Sequence, residues 1–184
     1  IAAHIHHGEN INDFHPYEDY KHSYAARKDL GGGVILCQIH ELDYLLFLFE
    51  KYKIKIINSY SKKFTNLHID VEDTFVSSIQ LSKGNKKALC NIHLNFYERP
   101  KKRTIEILGE KGKISCNLNN GKILIFKEKK IKKIQFKFDR NEIFKKQVKY
   151  FLNSIKTNKK IDKRYDVLNG IKSLSLALNL KKIK

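Results

Sequence analysis

His40 and Asp43 stand three residues apart inside a mainly apolar run from Val34 to Phe49, and they are the pair best suited to chemistry. Residues three apart on a helix are neighbours. A carboxylate there can hold an imidazole in one tautomer, as general acid/base catalysis needs. Leu36 and Phe47 fall on the same side of the helix. A histidine and a carboxylate in a mainly apolar helix are costly unless they are paired or set at a cleft. A satisfied His–Asp pair in a core fits the spacing equally well.

Other candidates carry less. His4 and His6 share a face of an opening strand and offer two metal ligands, but no nearby cysteine or carboxylate pattern completes a set. Polar residues flanking a cleft are the simpler reading, and His68 and His93 stand alone. Cys37, Cys90 and Cys116 are far apart and form no CxxC pair, so neither a zinc site nor a disulfide framework is indicated. A reduced, cytoplasmic setting fits them. Gly31-Gly32-Gly33 is neither the G-x-G-x-x-G of a dinucleotide site nor a Walker loop. By itself it reads as a tight entry into a helix, needing unusual backbone angles.

The elements that must position these residues follow from periodicity. Ile1–His7 alternates as a strand, and Gly8–Ser23 is a polar, aromatic loop. Val34, Ile35, Ile39, Leu42, Leu45, Leu46 and Phe49 recur at helical spacing. From Lys53 to about Lys137 the period becomes strand-like, with β-branched runs divided by turns such as Lys83-Gly84-Asn85 and Asn119-Asn120-Gly121. Asp139 is placed to cap a helix through Ile143, Val148 and Ile155, and a last helix starts near Asp166. The predicted class is α+β: a large, mainly antiparallel open sheet with one crossing helix and two C-terminal helices.

Composition bounds the partners. With 184 residues and 41% hydrophobic content the chain supports one core, so residues 1–184 form a single domain. The net charge of +18 invites a nucleic-acid reading. That charge is nearly all lysine, though, and only five arginines are present to form the forks that nucleic-acid modules favour. The positive charge suits an anionic substrate such as a nucleotide-linked sugar. The longest apolar stretch, near Leu42 to Phe49, is too short to span a bilayer. The chain has no Met and opens Ile1-Ala2-Ala3, so a preceding segment is expected.

The run from Tyr24 through Gly31-Gly32-Gly33 and His40-Glu41-Leu42-Asp43 to Leu45 resembles the glucose–fructose oxidoreductase / inositol dehydrogenase / MocA family. There a glycine-rich turn opens a substrate-domain helix bearing H-x-x-D. Leu108-Gly109-Glu110-Lys111-Gly112 is similar to the family's strand turn, and Phe144–Leu152 and Asp166–Gly170 to its last helices. The resemblance covers nearly the whole chain in order. It implies a C-terminal substrate domain whose N-terminal Rossmann domain, holding NAD or NADP, is absent here. It also implies hydride transfer on a sugar or polyol, and pairing of subunits through the sheet face.

On that resemblance His40 is the catalytic or substrate-orienting residue and Asp43 its orienter, with Tyr20, Tyr24 and Arg27 as substrate contacts. His15-Pro16-Tyr17-Glu18-Asp19-Tyr20 is similar to members of cell-surface sugar synthesis. The family often has Asp four residues before the His, where this chain has Leu36. The expected function is therefore the substrate half of a sugar oxidoreductase. Alternatives are a non-catalytic remnant that folds and dimerises, and a basic nucleic-acid module.

Overall fold

The computed structural model describes residues 1–137, 139–159, 161–162 and 165–183. Eight strands form one sheet in the order β2-β3-β4-β1-β5-β6-β7-β8. They are β1 (Ala2–Gly8), β2 (Lys53–Lys62), β3 (Thr74–Lys83), β4 (Lys86–Asn95), β5 (Lys102–Gly109), β6 (Gly112–Asn117), β7 (Lys122–Lys127) and β8 (Lys130–Gln135). The first strand sits in the middle, parallel to β4 and antiparallel to β5. All the other pairings are antiparallel. The two-residue turn Gly84-Asn85 joins β3 to β4, and Gly84 supplies the left-handed conformation (φ 56°) that this turn type demands.

One face of the sheet is apolar by alternation. Ala3 and Ile5 of β1, Phe75, Ile79 and Leu81 of β3, and Ile92 and Leu94 of β4 are all buried there. They pack against α1 (Val34–Cys37), α2 (His40–Leu48) and α4 (Val167–Lys182), whose Val34, Ile35, Leu42, Leu45, Ala177 and Leu180 are fully buried. Each buried valine, leucine, isoleucine or phenylalanine among them contributes about 1.5–3 kcal/mol relative to exposure. The other face carries Tyr60, Val76 and Leu89 partly exposed, and no described helix packs on it.

The single crossing helix expected over Val34–Phe49 is two helices. Gln38 (φ −104°, ψ 29°) ends α1, and its buried Nε2 donates to the carbonyl of Asn95 at 3.1 Å. A buried amide nitrogen needs such a partner, and beyond this break α2 starts afresh at His40. The two C-terminal helices are as predicted. Asp139 accepts from the Asn141 amide (2.7 Å) to cap α3 (Arg140–Lys156), and Asp166 accepts from the Leu168 amide (3.1 Å) to cap α4. Ile143, Phe144, Val148, Phe151, Leu152 and Ile155 of α3 remain exposed.

Candidate active site

The break at Gln38 sets His40 at the first position of α2, where its side chain is exposed. It stands on the wall of a hollow of about 590 Å³. Asp43 lines the same wall one turn on. Val148 and Phe151 come from α3, and Tyr165, Asp166 and Ser173 come from α4 and the residues leading into it. The Asp43 carboxylate accepts a hydrogen bond from Ser173 Oγ at 2.7 Å, tying α2 to α4. The expected orienting bond from Asp43 to His40 is not formed. Among the described residues the imidazole of His40 makes no hydrogen bond or ion pair, so its ring nitrogens are available to whatever enters the hollow.

His40 owes its position to its neighbour. Glu41 is 1% exposed and points the other way, into the domain. Its Oε1 accepts from Arg103 Nε of β5 at 2.5 Å, and its Oε2 lies 3.3 Å from Nδ1 of the buried His7 on β1. His7 Nε2 lies 3.5 Å from Glu9, which is paired with Lys101 at 2.6 Å. The two His7 contacts have ion-pair distances without good hydrogen-bond angles.

Burial alone would favour the neutral form of each group, but the opposite charges prevail. Burial lowers the His7 pKa, yet the side chains of Glu41 and Glu9 leave it above the ordinary histidine value. Burial likewise raises Glu41, and His7 and Arg103 bring it below the ordinary carboxylate value. A buried charge cluster joining β1, β5 and α2 therefore anchors the helical turn that presents His40. The sequence signals were Glu41 inside an apolar helix and Arg103 alternating with Ile105 and Ile107 on the core side of β5.

The remaining predicted residues lie off this hollow. Tyr20 is half-buried and its hydroxyl accepts from the His68 amide at 3.2 Å. Tyr24 is 49% exposed, and burial of its hydroxyl, with Cys37 and Glu18 nearby, raises its pKa. Arg27 pairs with Asp29 on the surface, Nε to Oδ1 at 3.1 Å and the second nitrogen at 2.5 Å. Leu36 is partly buried against the core. Cys37 is a burial-suppressed thiol, its pKa pushed up to about 12 by desolvation and then by Glu72. On the open sheet face His6 bonds Glu98 at 2.6 Å and meets His93 edge-on, and no described residues form a metal-ligand group.

The glycine turn does not fit a dinucleotide. A Cβ on Gly32 would meet the carbonyl oxygens of Tyr24 and Ala25 at 2.4 and 2.6 Å, and one on Gly33 would meet the Glu72 carboxylate at 2.3 Å. These glycines admit backbone and a carboxylate, which repel a pyrophosphate, and α1 behind them has only four residues. Nothing here is a cradle of amides at a long helix.

Comparison with known proteins places the domain. A sequence model described as the GFO/IDH/MocA C-terminal domain matches residues 3–115, more than half of the chain. The chain belongs to the GFO/IDH/MocA family. Solved structures share its fold. UDP-N-acetylglucosamine 3-dehydrogenase from Acidithiobacillus ferrooxidans is 15% identical with a TM-score of 0.74, over 98% of this chain and 52% of that one. A 3-ketoreductase from Actinomadura kijaniata, solved with NADP and TDP-benzene, is 10% identical with a TM-score of 0.70, over 99% and 52%. An inositol dehydrogenase homologue from Azotobacter vinelandii, solved with NAD+, is 10% identical with a TM-score of 0.61, over 76% and 37%. This GFO/IDH/MocA domain spans about half the length of the first two. No curated protein matches it in sequence.

The hollow combines an open imidazole, a fixed carboxylate and a tyrosine with apolar walls from α3. Converging polar groups on an apolar surface suit a small polyhydroxylated ligand. No described helix is long and apolar enough to cross a membrane.

Proposed function

We propose that this domain is the substrate-binding half of an NAD(P)-dependent oxidoreductase acting on a sugar or nucleotide-linked sugar, in cell-surface carbohydrate synthesis in the cytoplasm. The observation that carries the reading is His40: an exposed imidazole with no hydrogen bond or ion pair among the described residues, on a ligand-sized hollow, on a helix whose first turn is anchored by buried charges. In this reading His40 takes the proton of a substrate hydroxyl as its carbon is oxidised, and returns it in reverse. Asp43, tied to Ser173, accepts from a neighbouring hydroxyl. The nicotinamide that exchanges the hydride is held outside this chain, whose own tasks are binding and proton transfer.

Tyr20, Tyr24 and Arg27 remain candidates for contacts with parts of the substrate beyond the hollow. The helix-free sheet face, with Tyr60, Val76 and Leu89 partly exposed, pairs two copies as a homodimer. The domain joined to a nucleotide-binding domain of a family member tests the reading by steady-state kinetics on a panel of nucleotide sugars. His40→Ala should lower kcat/KM about a hundredfold or more. Near-parental turnover on a good substrate would make His40 structural and favour the alternative, a domain that folds and pairs without chemistry.

A further inference from the structure

The three strands farthest from β2 carry positive charge that the His40 site does not use. Between Glu110 and Lys133 stand eight lysines and two glutamates. Among the described residues Lys113 alone of these lysines is paired, with Glu106 at 2.7 Å. Edge strands use lysine to repel neighbouring chains, which accounts for Lys130, Lys132 and Lys133 on β8. It does not account for Lys113, Lys122 and Lys127, because β6 and β7 are paired on both sides.

The register shows what these lysines surround. On the helix-free face Lys113, Phe126 and Ile131 lie side by side across β6, β7 and β8, and Leu124 lies beside Lys133. On the other face Lys127 stands directly opposite Lys130, and Ile125 opposite Lys132. Like charges directly opposite, with Cβ atoms about 5 Å apart, destabilise a hairpin in water. Ile131 is 57% exposed, and Phe126 and Ile125 are half-buried. The hairpin tip therefore sets uncompensated cations among apolar side chains on both of its faces.

That two-faced arrangement selects the occupant. A nucleic-acid strand laid on a sheet uses one face and stacks its bases on aromatic rings, and these three strands offer one ring, Phe126. A hairpin dipped edge-on into the headgroup layer of an anionic bilayer meets phosphates on both faces, while its apolar residues reach the acyl boundary. Lysine stems suit that depth, lying along apolar surface with the ammonium held among the headgroups. We propose that the β7–β8 hairpin docks this domain peripherally on an anionic lipid surface. Pairing of two copies through Tyr60, Val76 and Leu89 uses other strands, β2, β3 and β4, and docking is independent of the chemistry at His40.

Co-sedimentation of the chain with vesicles provides the test. Vesicles of phosphatidylcholine with about one-third phosphatidylglycerol should bind it at physiological salt, and high salt should weaken that binding by screening. Pure phosphatidylcholine should not bind it. Lys129→Gln with Lys130→Gln should weaken binding about thirtyfold, at about fivefold per lysine near the surface. Removing the same charge with Lys53→Gln and Lys55→Gln, on β2 at the opposite edge of the sheet, should weaken it about twofold at most. All four lysines are exposed, so both double variants should keep the parental melting temperature. The chain has no tryptophan, so Ile131→Trp supplies a depth probe. Its emission should shift to the blue with the anionic vesicles, and that of Tyr60→Trp on β2 should not.

Equal losses from the two double variants would mean attraction by net charge alone and would overturn the proposal. Binding without a blue shift from Ile131→Trp would overturn it too, since the apolar tip would then stay in water. A single-stranded DNA oligonucleotide that binds more tightly than the anionic vesicles at equal phosphate concentration, and is lost with Lys129→Gln and Lys130→Gln, would assign the hairpin to nucleic acid instead. Failure of the anionic vesicles to sediment the parent chain would refute the docking site outright.

Discussion

Replacing Glu41 by Gln keeps the side chain's shape and deletes the charge that joins Arg103 to His7. Glu41 is 1% exposed, with Arg103 at 2.5 Å and His7 at 3.3 Å. Removing one member of a buried ion pair costs about 3–5 kcal/mol, because the other charge is left uncompensated. The Arg103 side chain is 21% exposed and can recover some hydration, so the expected loss is near the lower figure, about 3 kcal/mol. In a chain of this length that lowers the melting temperature by about 6–12 °C.

The pH dependence gives a second signature. The Glu41 pKa is lowered, so its stabilisation is present above the unfolded value of 4.5 and is lost as pH falls through the folded value. The His7 pKa is raised, so its contribution is complete below the unfolded value of 6.5 and is lost as pH rises through the folded value. The gap between parent and Glu41→Gln should therefore be widest between about pH 5 and 6.5 and should narrow on both sides. Urea unfolding across that range measures it. A gap below about 0.5 kcal/mol at pH 6, or one that does not vary with pH, would show that the cluster does not anchor α2.

Other outcomes follow from the same geometry. Asp73 accepts from the Phe64 and Thr65 amides and from the Thr65 and Thr74 hydroxyls at 2.6–2.9 Å, so Asp73→Asn should cost about 2 kcal/mol in thermal unfolding at neutral pH. Despite burial, those donors hold its pKa low, so the difference should shrink as the pH falls through the acid range. Leu36→Asp should lower the melting temperature, because it sets a carboxylate against the apolar core; an unchanged temperature would show that the position faces solvent or substrate. The chain should sediment as a dimer at tens of micromolar and as a monomer after Leu89→Lys on the helix-free face. NAD and NADP should show no micromolar binding by calorimetry, since Gly32 and Gly33 are closed by carbonyls and Glu72.

Local chemistry was legible in the sequence. Period-two alternation with Gly84-Asn85 turns gave the antiparallel strands, and Asp139 and Asp166 marked two helix starts. What stayed hidden depends on partners distant in the chain. β1 lies between β4 and β5 because its apolar face completes their core, a pairing more than eighty residues away that no periodicity reports. The helix breaks at Gln38, whose buried side chain donates to a strand-end carbonyl, a contact that spacing alone cannot show. His40 and Asp43 were found together on one hollow, but the bond between them was replaced by one from Ser173, 130 residues onward. Tyr20, Tyr24 and Arg27 line other surfaces, and their identity as aromatic or cationic side chains could not specify which.

The central claim is that a sugar ligand meets His40. It is tested most directly by histidine-selective NMR of the chain titrated with UDP-N-acetylglucosamine, with His40→Gln assigning the signal. The His40 ring resonances should shift in a saturable way, while those of half-buried His15 and exposed His22 should not. Saturable binding that leaves the His40 resonances unmoved would contradict it.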